Sequence, residues 1–204
     1  MNIGIDIRMI NHSGIGTYIK NIIPLIINRM QSDKFILFYG SSDSKVFFKQ
    51  RNIEFINMKS SIYSISEQIE FLKLNSMNID LFWSPHYNAP IFLKTKLVVT
   101  IHDIFHLVDQ DASILKKIYS KMLFNIIKRN ASKVITVSNF TKNQIIDYLH
   151  VNESNIKVIF LRLEILLRTK LEEGINLTFT KSLKAKSTNS YSWPMCDMMK
   201  ENLI

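Results

Sequence analysis

Short runs rich in β-branched and aromatic residues recur along the first 160 positions, separated by longer stretches whose apolar residues repeat every three or four places. That alternation constrains the fold more than any other feature. A strand, a helix and another strand in series need a crossover, and crossovers lay the strands parallel. Strands are expected at Asn2–Arg8, Phe35–Tyr39, Ile53–Asn57, Asp80–Ser84, Leu97–Ile101, Lys133–Val137 and Ile156–Phe160. Several, such as Leu97-Val98-Val99-Thr100-Ile101, are continuously apolar, as strands are when both faces of the sheet are covered.

Three helices are expected between them. From Ile15 to Met30 the residues Ile15, Ile19, Ile22, Ile23, Ile26 and Ile27 share one face. From Ile114 to Arg129 the rows Ile114/Ile118/Met122/Ile126 and Leu115/Tyr119/Leu123/Ile127 form a stripe that could lie against the sheet or a membrane, the sheet being the more frequent outcome, with most of the lysines off it. A third runs from Asn139 to about Leu149, with Ser138 as its N-cap. The expected architecture is α/β: one Rossmann-like domain over residues 1–160, a parallel twisted sheet flanked by helices. Residues 161–204 lose the alternation and turn rich in Lys, Ser, Thr and Asn, so they are expected to form an irregular, weakly helical or disordered tail.

Cys196 is the only cysteine, which excludes an intrachain disulfide and any paired-cysteine zinc site. No export signal and no run of 18 uncharged apolar residues occurs, so a cytoplasmic setting is expected. The formal charge of +9 raises the local concentration of anionic partners. The lysines are scattered singly and no nucleic-acid motif accompanies them, so nucleic acid is not the expected partner.

Residues able to carry chemistry fall at the carboxyl ends of strands, where open α/β sheets bind ligands. Asp6-Ile7-Arg8 is followed by Ser13-Gly14-Ile15-Gly16-Thr17-Tyr18 and a helix. A strand, a glycine turn and a helix N-terminus together make an anion site, since free N–H groups and the helix dipole point at the ligand. A plain strand-to-helix turn gives the same pattern. The spacing is neither the dinucleotide fingerprint, since position 19 is Ile, nor a P-loop, which needs Lys-Ser/Thr. Trp83-Ser84-Pro85-His86-Tyr87-Asn88 and Val98-Val99-Thr100-Ile101-His102-Asp103 each end a strand, and His86, His102 and Asp103 converge on the side of the glycine turn. His102 and Asp103 equally suit a hydrogen-bonded pair that orders a loop. No closely spaced carboxylate set completes a metal site, and no Gly-x-Ser-x-Gly elbow supports a nucleophile.

Taken in order, these pieces resemble glycosyltransferase family 4, whose members are two-domain GT-B enzymes. Gly4-Ile5-Asp6-Ile7-Arg8 with Ser13-Gly14-Ile15-Gly16-Thr17-Tyr18 is similar to the family's first strand and glycine loop. Ser84-Pro85-His86 with Pro90, Val98 to Asp103, Ala131 to Thr141 and Ile156-Lys157-Val158-Ile159 match later stretches of its amino-terminal, acceptor-side domain. The resemblance covers residues 3 to 160. It departs at Thr17, where the family usually has Arg, and after Ile159, where the family continues with Asn-Gly-apolar-Asp and a second Rossmann-like domain; the expectation is of a truncated chain.

The resemblance implies retaining transfer of a sugar, mannose or glucose, from a nucleotide-diphosphate donor to a saccharide or lipid-linked acceptor, with no metal or other cofactor. It places His102, with Asp103, beside the transferred sugar, Gly14, Gly16 and Thr17 near the donor phosphates, and Arg8, His86 and Asn88 on the acceptor side. The family's basic phosphate contacts and paired glutamates lie in the second domain, so the chain alone is expected to be inactive. The alternative is a non-catalytic module docking on anionic membrane or saccharide-lipid, for which Lys45-Val46-Phe47-Phe48-Lys49-Gln50-Arg51 mixes aromatics and cations. A nucleotide-sugar epimerase would need Tyr-x-x-x-Lys; Tyr18 is followed by Ile22 and Tyr119 by Leu123.

Overall fold

The computed structural model describes residues 1–108, 114–160 and 198. Seven strands form one parallel sheet: β1 (Asn2–Asp6), β2 (Lys34–Tyr39), β3 (Ile53–Asn57), β4 (Leu81–Ser84), β5 (Lys96–Ile101), β6 (Ala131–Thr136) and β7 (Ile156–Val158). Their order across the sheet is β3-β2-β1-β4-β5-β6-β7. The chain winds outward from β1 in one direction and from β4 in the other. The switch point therefore lies between β1 and β4, where Ile3, Gly4 and Ile5 pair with Leu81, Phe82 and Trp83.

Side chains alternate across the sheet as a period of two requires. Ile3, Ile5, Phe35, Leu37, Leu81, Trp83, Val98 and Ile135 belong to one core, packed with Ile19, Ile22, Ile23, Ile26 and Ile27 of α1 (Ser13–Arg29). Met198, the one described residue of the expected tail, is buried in that same core; the rest of 161–204 lies outside the described residues. Ile36, Phe38, Phe82, Leu97, Val99, Ile101 and Val134 form the second core. It is closed by α2 (Ile65–Phe71), α4 (Ile114–Asn130) and α5 (Asn139–Leu149), with the one-turn α3 (Phe105–Val108) ahead of α4. Both faces are covered, which is why the strands carry no polar alternation.

Two helix starts follow the cap rules, while α1 has no side-chain cap at His12. Ser138 accepts a hydrogen bond from the Thr141 N–H, as expected, and Ser64 accepts one from Glu67 at the start of α2. The long stripe expected on Ile114–Arg129 is only half buried. Leu123, Phe124 and Ile127 face the core, whereas Ile114, Ile118 and Met122 are exposed, because a helix lying on a sheet buries one narrow side. No helix among the described residues is long and apolar enough to cross a membrane.

Candidate functional site at the switch point

Asp6 ends β1 and Ser84 ends β4, so the residues that follow them frame the crevice at the switch point. Beyond Asp6 the chain turns through a short 3-10 helix, Arg8–Asn11, straight into α1. This turn is tight enough that the Gly16 Cα lies against the Ile10 carbonyl: a Cβ there would stand 2.2 Å from the Ile10 oxygen. Gly16 also donates its N–H to the His12 carbonyl at 2.7 Å, the first bond of the helix. The amides free of any intrahelical acceptor are therefore those of Ser13, Gly14 and Ile15. Gly14 is exposed, with nothing within 4 Å of where a Cβ would sit. Of the two glycines expected at the phosphates, one packs the turn and the other lies open to a ligand. The Thr17 hydroxyl donates back to the Ser13 carbonyl at 2.9 Å.

His102 follows β5 and is half-buried. Its ring meets Tyr18 of α1 edge-on at 4.9 Å, one helical turn below Gly14. Its Nε2 lies 2.9 Å from the Pro85 carbonyl. A carbonyl only accepts, so Nε2 carries the proton and Nδ1 keeps its lone pair. The backbone carbonyl of His102 accepts from the Thr141 hydroxyl, so both ends of the residue are held. Burial pushes the imidazole below its ordinary pKa and the nearby His86 adds to this, against the raising effects of Pro85 and Asp103. At neutral pH the ring is an uncharged acceptor. Asp103 is exposed and accepts from the Phe105 N–H at the start of α3. The two residues take separate backbone partners rather than pairing with each other.

Arg8, His86 and Asn88 do come together, but inside the protein. The Arg8 guanidinium donates to Asp6 through Nε at 2.9 Å and Nη2 at 2.6 Å, and Nη2 also reaches Glu67. Asn88 donates Nδ2 to both Glu67 carboxylate oxygens at 2.8 Å, and its Oδ1 accepts from the Tyr119 hydroxyl. His86 accepts from the Asn88 N–H through Nδ1, which puts its proton on Nε2, 3.4 Å from the Asp6 carboxylate but outside hydrogen-bonding alignment. Burial alone would raise the Asp6 pKa; Arg8 and His86 overcome it and hold the carboxyl far below the usual range. Asp6 and Glu67 are fully buried, as are His86 and Asn88. The side chains of Asp6, Glu67, His86 and Asn88 present no polar edge to solvent, and that of Arg8 almost none.

Among the described residues no group of three or more His, Cys, Asp and Glu could hold a metal ion. Two surface hollows, of about 350 and 440 Å³, lie around Gln31–Lys34 and Arg51–Asn52, at the amino ends of β2 and β3 and away from the switch-point crevice.

Residues 47–160, more than half of the chain, match the sequence model of Glycosyltransferase Family 4. The chain belongs to glycosyltransferase family 4. Its fold is shared by solved structures that include the following two. A glycosyltransferase from Rickettsia africae ESF-5 superposes with a TM-score of 0.53 at 17% identity, over 87% of this chain and 50% of that one. A sucrose-phosphate synthase structure from Thermosynechococcus elongatus gives 0.52 at 10% identity, over 85% of this chain and 98% of that one. The chain thus spans half the length of the Rickettsia enzyme. No curated protein sequence is significantly similar to it.

In this family 4 domain the residues that sequence reasoning missed are Asp6, Glu67, Tyr63 and Tyr119. Glu67 had a visible signal. Ser64-Ile65-Ser66-Glu67 is a capping box, the pattern of a helix start. Here the Glu67 carboxylate reaches one residue further back than usual, accepting from the Tyr63 N–H at 2.9 Å. The link from Glu67 to Arg8 crosses 59 positions and had no local trace.

Proposed function

We propose that this chain is the acceptor-side half of a retaining glycosyltransferase that moves a hexose, mannose or glucose, from a nucleotide-diphosphate sugar to a saccharide or lipid-linked acceptor. The observation that carries this reading is that Tyr18, one helical turn beyond the free amides that open α1, meets the ring of His102 edge-on, and that this ring keeps its Nδ1 unprotonated. Amide donors and the positive end of a helix stabilise charge on a departing diphosphate. A neutral imidazole with a free lone pair accepts a hydrogen bond from a hydroxyl of the sugar being transferred, which orients it without adding charge. Asp103 braces the loop beside it by capping α3.

Positioning and electrostatic stabilisation supply most of the rate in such a transfer, and both need two walls of a cleft. The 204 residues on their own are therefore inactive. Incubated with radiolabelled GDP-mannose or UDP-glucose and candidate acceptors, the purified chain should yield no labelled product. Fused to the second domain of a two-domain family member, it should transfer label, and His102→Ala should remove that transfer. Turnover by the isolated chain at the rate of an intact enzyme, or a fusion indifferent to His102→Ala, overturns the reading.

A second reading rests on α4. Its exposed Ile114, Ile118 and Met122 form an apolar strip flanked by exposed Lys121, Lys128 and Arg129, the pattern of a helix lying on an anionic membrane at the cytoplasmic face. The Lys45–Arg51 segment favours this less, since Phe48 is buried and Lys20 lies over the Phe47 ring at 4.6 Å. Flotation with liposomes that depends steeply on anionic lipid, and is lost in Ile118→Glu, supports it; no flotation refutes it.

A further inference from the structure

Among the described residues only Tyr63 and His150 adopt positive φ without being glycine. His150 is explained, since it closes the carboxyl end of α5 in the left-handed conformation usual for helix caps. Tyr63, with φ of 66°, is not at such a position. A bulky side chain is strained there, and Gly or Asn would sit more easily. Strain of this kind persists where surrounding structure enforces it, and it gathers at ligand sites.

The enforcement is visible. The Tyr63 N–H donates to Glu67, and Glu67 is itself fixed by Arg8 and by both bonds from Asn88. The Tyr63 ring stacks on Tyr87 with centroids 5.6 Å apart and planes 28° from parallel, and Tyr87 stacks on Phe124 at 5.1 Å and 17°. Tyr119 stands edge-on to Tyr63 at 6.4 Å, its hydroxyl tied to Asn88. Despite these holds Tyr63 remains 38% exposed. The column rises from the segment after β4, at the switch point, so a buried ionic network holds a strained aromatic ring at the edge of the crevice.

We propose that the ring of Tyr63 is the stacking platform for the acceptor's pyranose ring, with Tyr87 and Tyr119 as its support, an inference that rests on the sugar-transfer reading above. A pyranose has an apolar face of C–H bonds and an edge of hydroxyls, which a flat ring bordered by neutral hydroxyls complements. Burial raises the pKa of all three tyrosines, so their hydroxyls stay protonated across the physiological range. Beneath it the one guanidinium of Arg8 faces two carboxylates, Asp6 and Glu67, a net negative charge that disfavours an anionic ligand, so the platform suits an uncharged ring.

The test is saturation-transfer NMR on the 204-residue chain with the methyl pyranosides of mannose, glucose, galactose and N-acetylglucosamine at millimolar concentration, with no nucleotide sugar present. At least one glycoside should receive saturation on the C–H protons of one face. Tyr63→Phe should keep that binding. Tyr63→Asn should weaken it by about three- to tenfold while the chain stays folded by circular dichroism, since Asn accepts the left-handed backbone and offsets part of the ring packing that is lost. Saturation that survives Tyr63→Asn, or the absence of any glycoside signal in the unmodified chain, overturns the platform. Failure of the transfer reading looks different: glycoside binding persists with its Tyr63 dependence while the two-domain fusion transfers no label.

Discussion

Replacing the two glycines of the first turn, one at a time, should move stability in opposite directions. At Gly16 an added Cβ would lie 2.2 Å from the Ile10 oxygen, 2.8 Å from the Ile10 carbonyl carbon and 3.3 Å from the Met9 oxygen. Relief requires a retreat of roughly 1 Å, since ordinary contacts begin near 3.4 Å. The obstacle is backbone, pinned by Ile10 N–H to Ile7 and His12 N–H to Met9, and Met9 and Ile10 are buried. Overpacking of this kind costs about 1–3 kcal/mol or somewhat more, and the helix propensity gained by Ala returns at most about 1 kcal/mol. Gly16→Ala should therefore lose about 2 kcal/mol net, a fall in Tm of roughly 4–8 °C for a chain of this size. Gly14 has open space around it, so Gly14→Ala should be neutral or stabilise by up to about 1 kcal/mol. Urea unfolding followed by circular dichroism, at constant m, measures both. A Gly16→Ala variant within about 0.5 kcal/mol of the parent would refute this account of the turn, as would a Gly14→Ala variant that is the less stable of the two.

Glu67→Ala strips the buried Arg8 of one partner and leaves the Asn88 amide and the Tyr63 N–H without an acceptor, so it should cost about 3–5 kcal/mol in the same urea experiment; a loss below about 1 kcal/mol would mean the network is not what holds this corner. Stability should also fall with acidification in two stages. The unfolded His102 ring binds its proton near pH 6.5 and the folded ring only at lower pH, so between those values the unfolded chain holds more protons and stability rises with pH by at most about 1.4 kcal/mol per unit; His102→Gln should flatten that slope, and an unchanged slope contradicts the burial argument. Asp6, whose folded pKa is depressed, contributes stability that is present above about pH 4 and lost as pH falls further towards its folded value; Asp6→Asn should remove that acid limb, as followed by Tm against pH.

The strands were legible because sheets covered on both faces write themselves as apolar runs, and every expected strand exists within two residues at each end. The differences have local causes. β1 stops at Asp6, because its carboxylate accepts the Arg8 N–H and starts the 3-10 turn. β6 begins at Ala131, directly after the last residue of α4, and the ladder with β5 shifts register between Leu97 and Val98. The helix α2 was not expected, since its seven residues are too short a window for periodicity, and the regular apolar positions Ile65, Ile69 and Leu72 just beyond it face outward rather than to the core. The positions of His102 and of the glycine turn past the carboxyl ends of β5 and β1 were readable, since each follows its own strand. The charge network was not, because an isolated Asp6 or Glu67 says nothing of a guanidinium that folding brings between them.

The central claim is that the first amides of α1 and the Nδ1 side of His102 line one hollow that receives a nucleotide sugar. Amide and imidazole nitrogen NMR shifts, followed while GDP-mannose and UDP-glucose are titrated to millimolar concentration, test it directly. The account predicts that shifts for at least one of them concentrate at Ser13, Gly14, Ile15 and the His102 ring and leave Gln31–Lys34 and Arg51–Asn52 still. Shifts confined to those latter segments, or a His102 ring that does not respond when the Gly14 amide does, would contradict it.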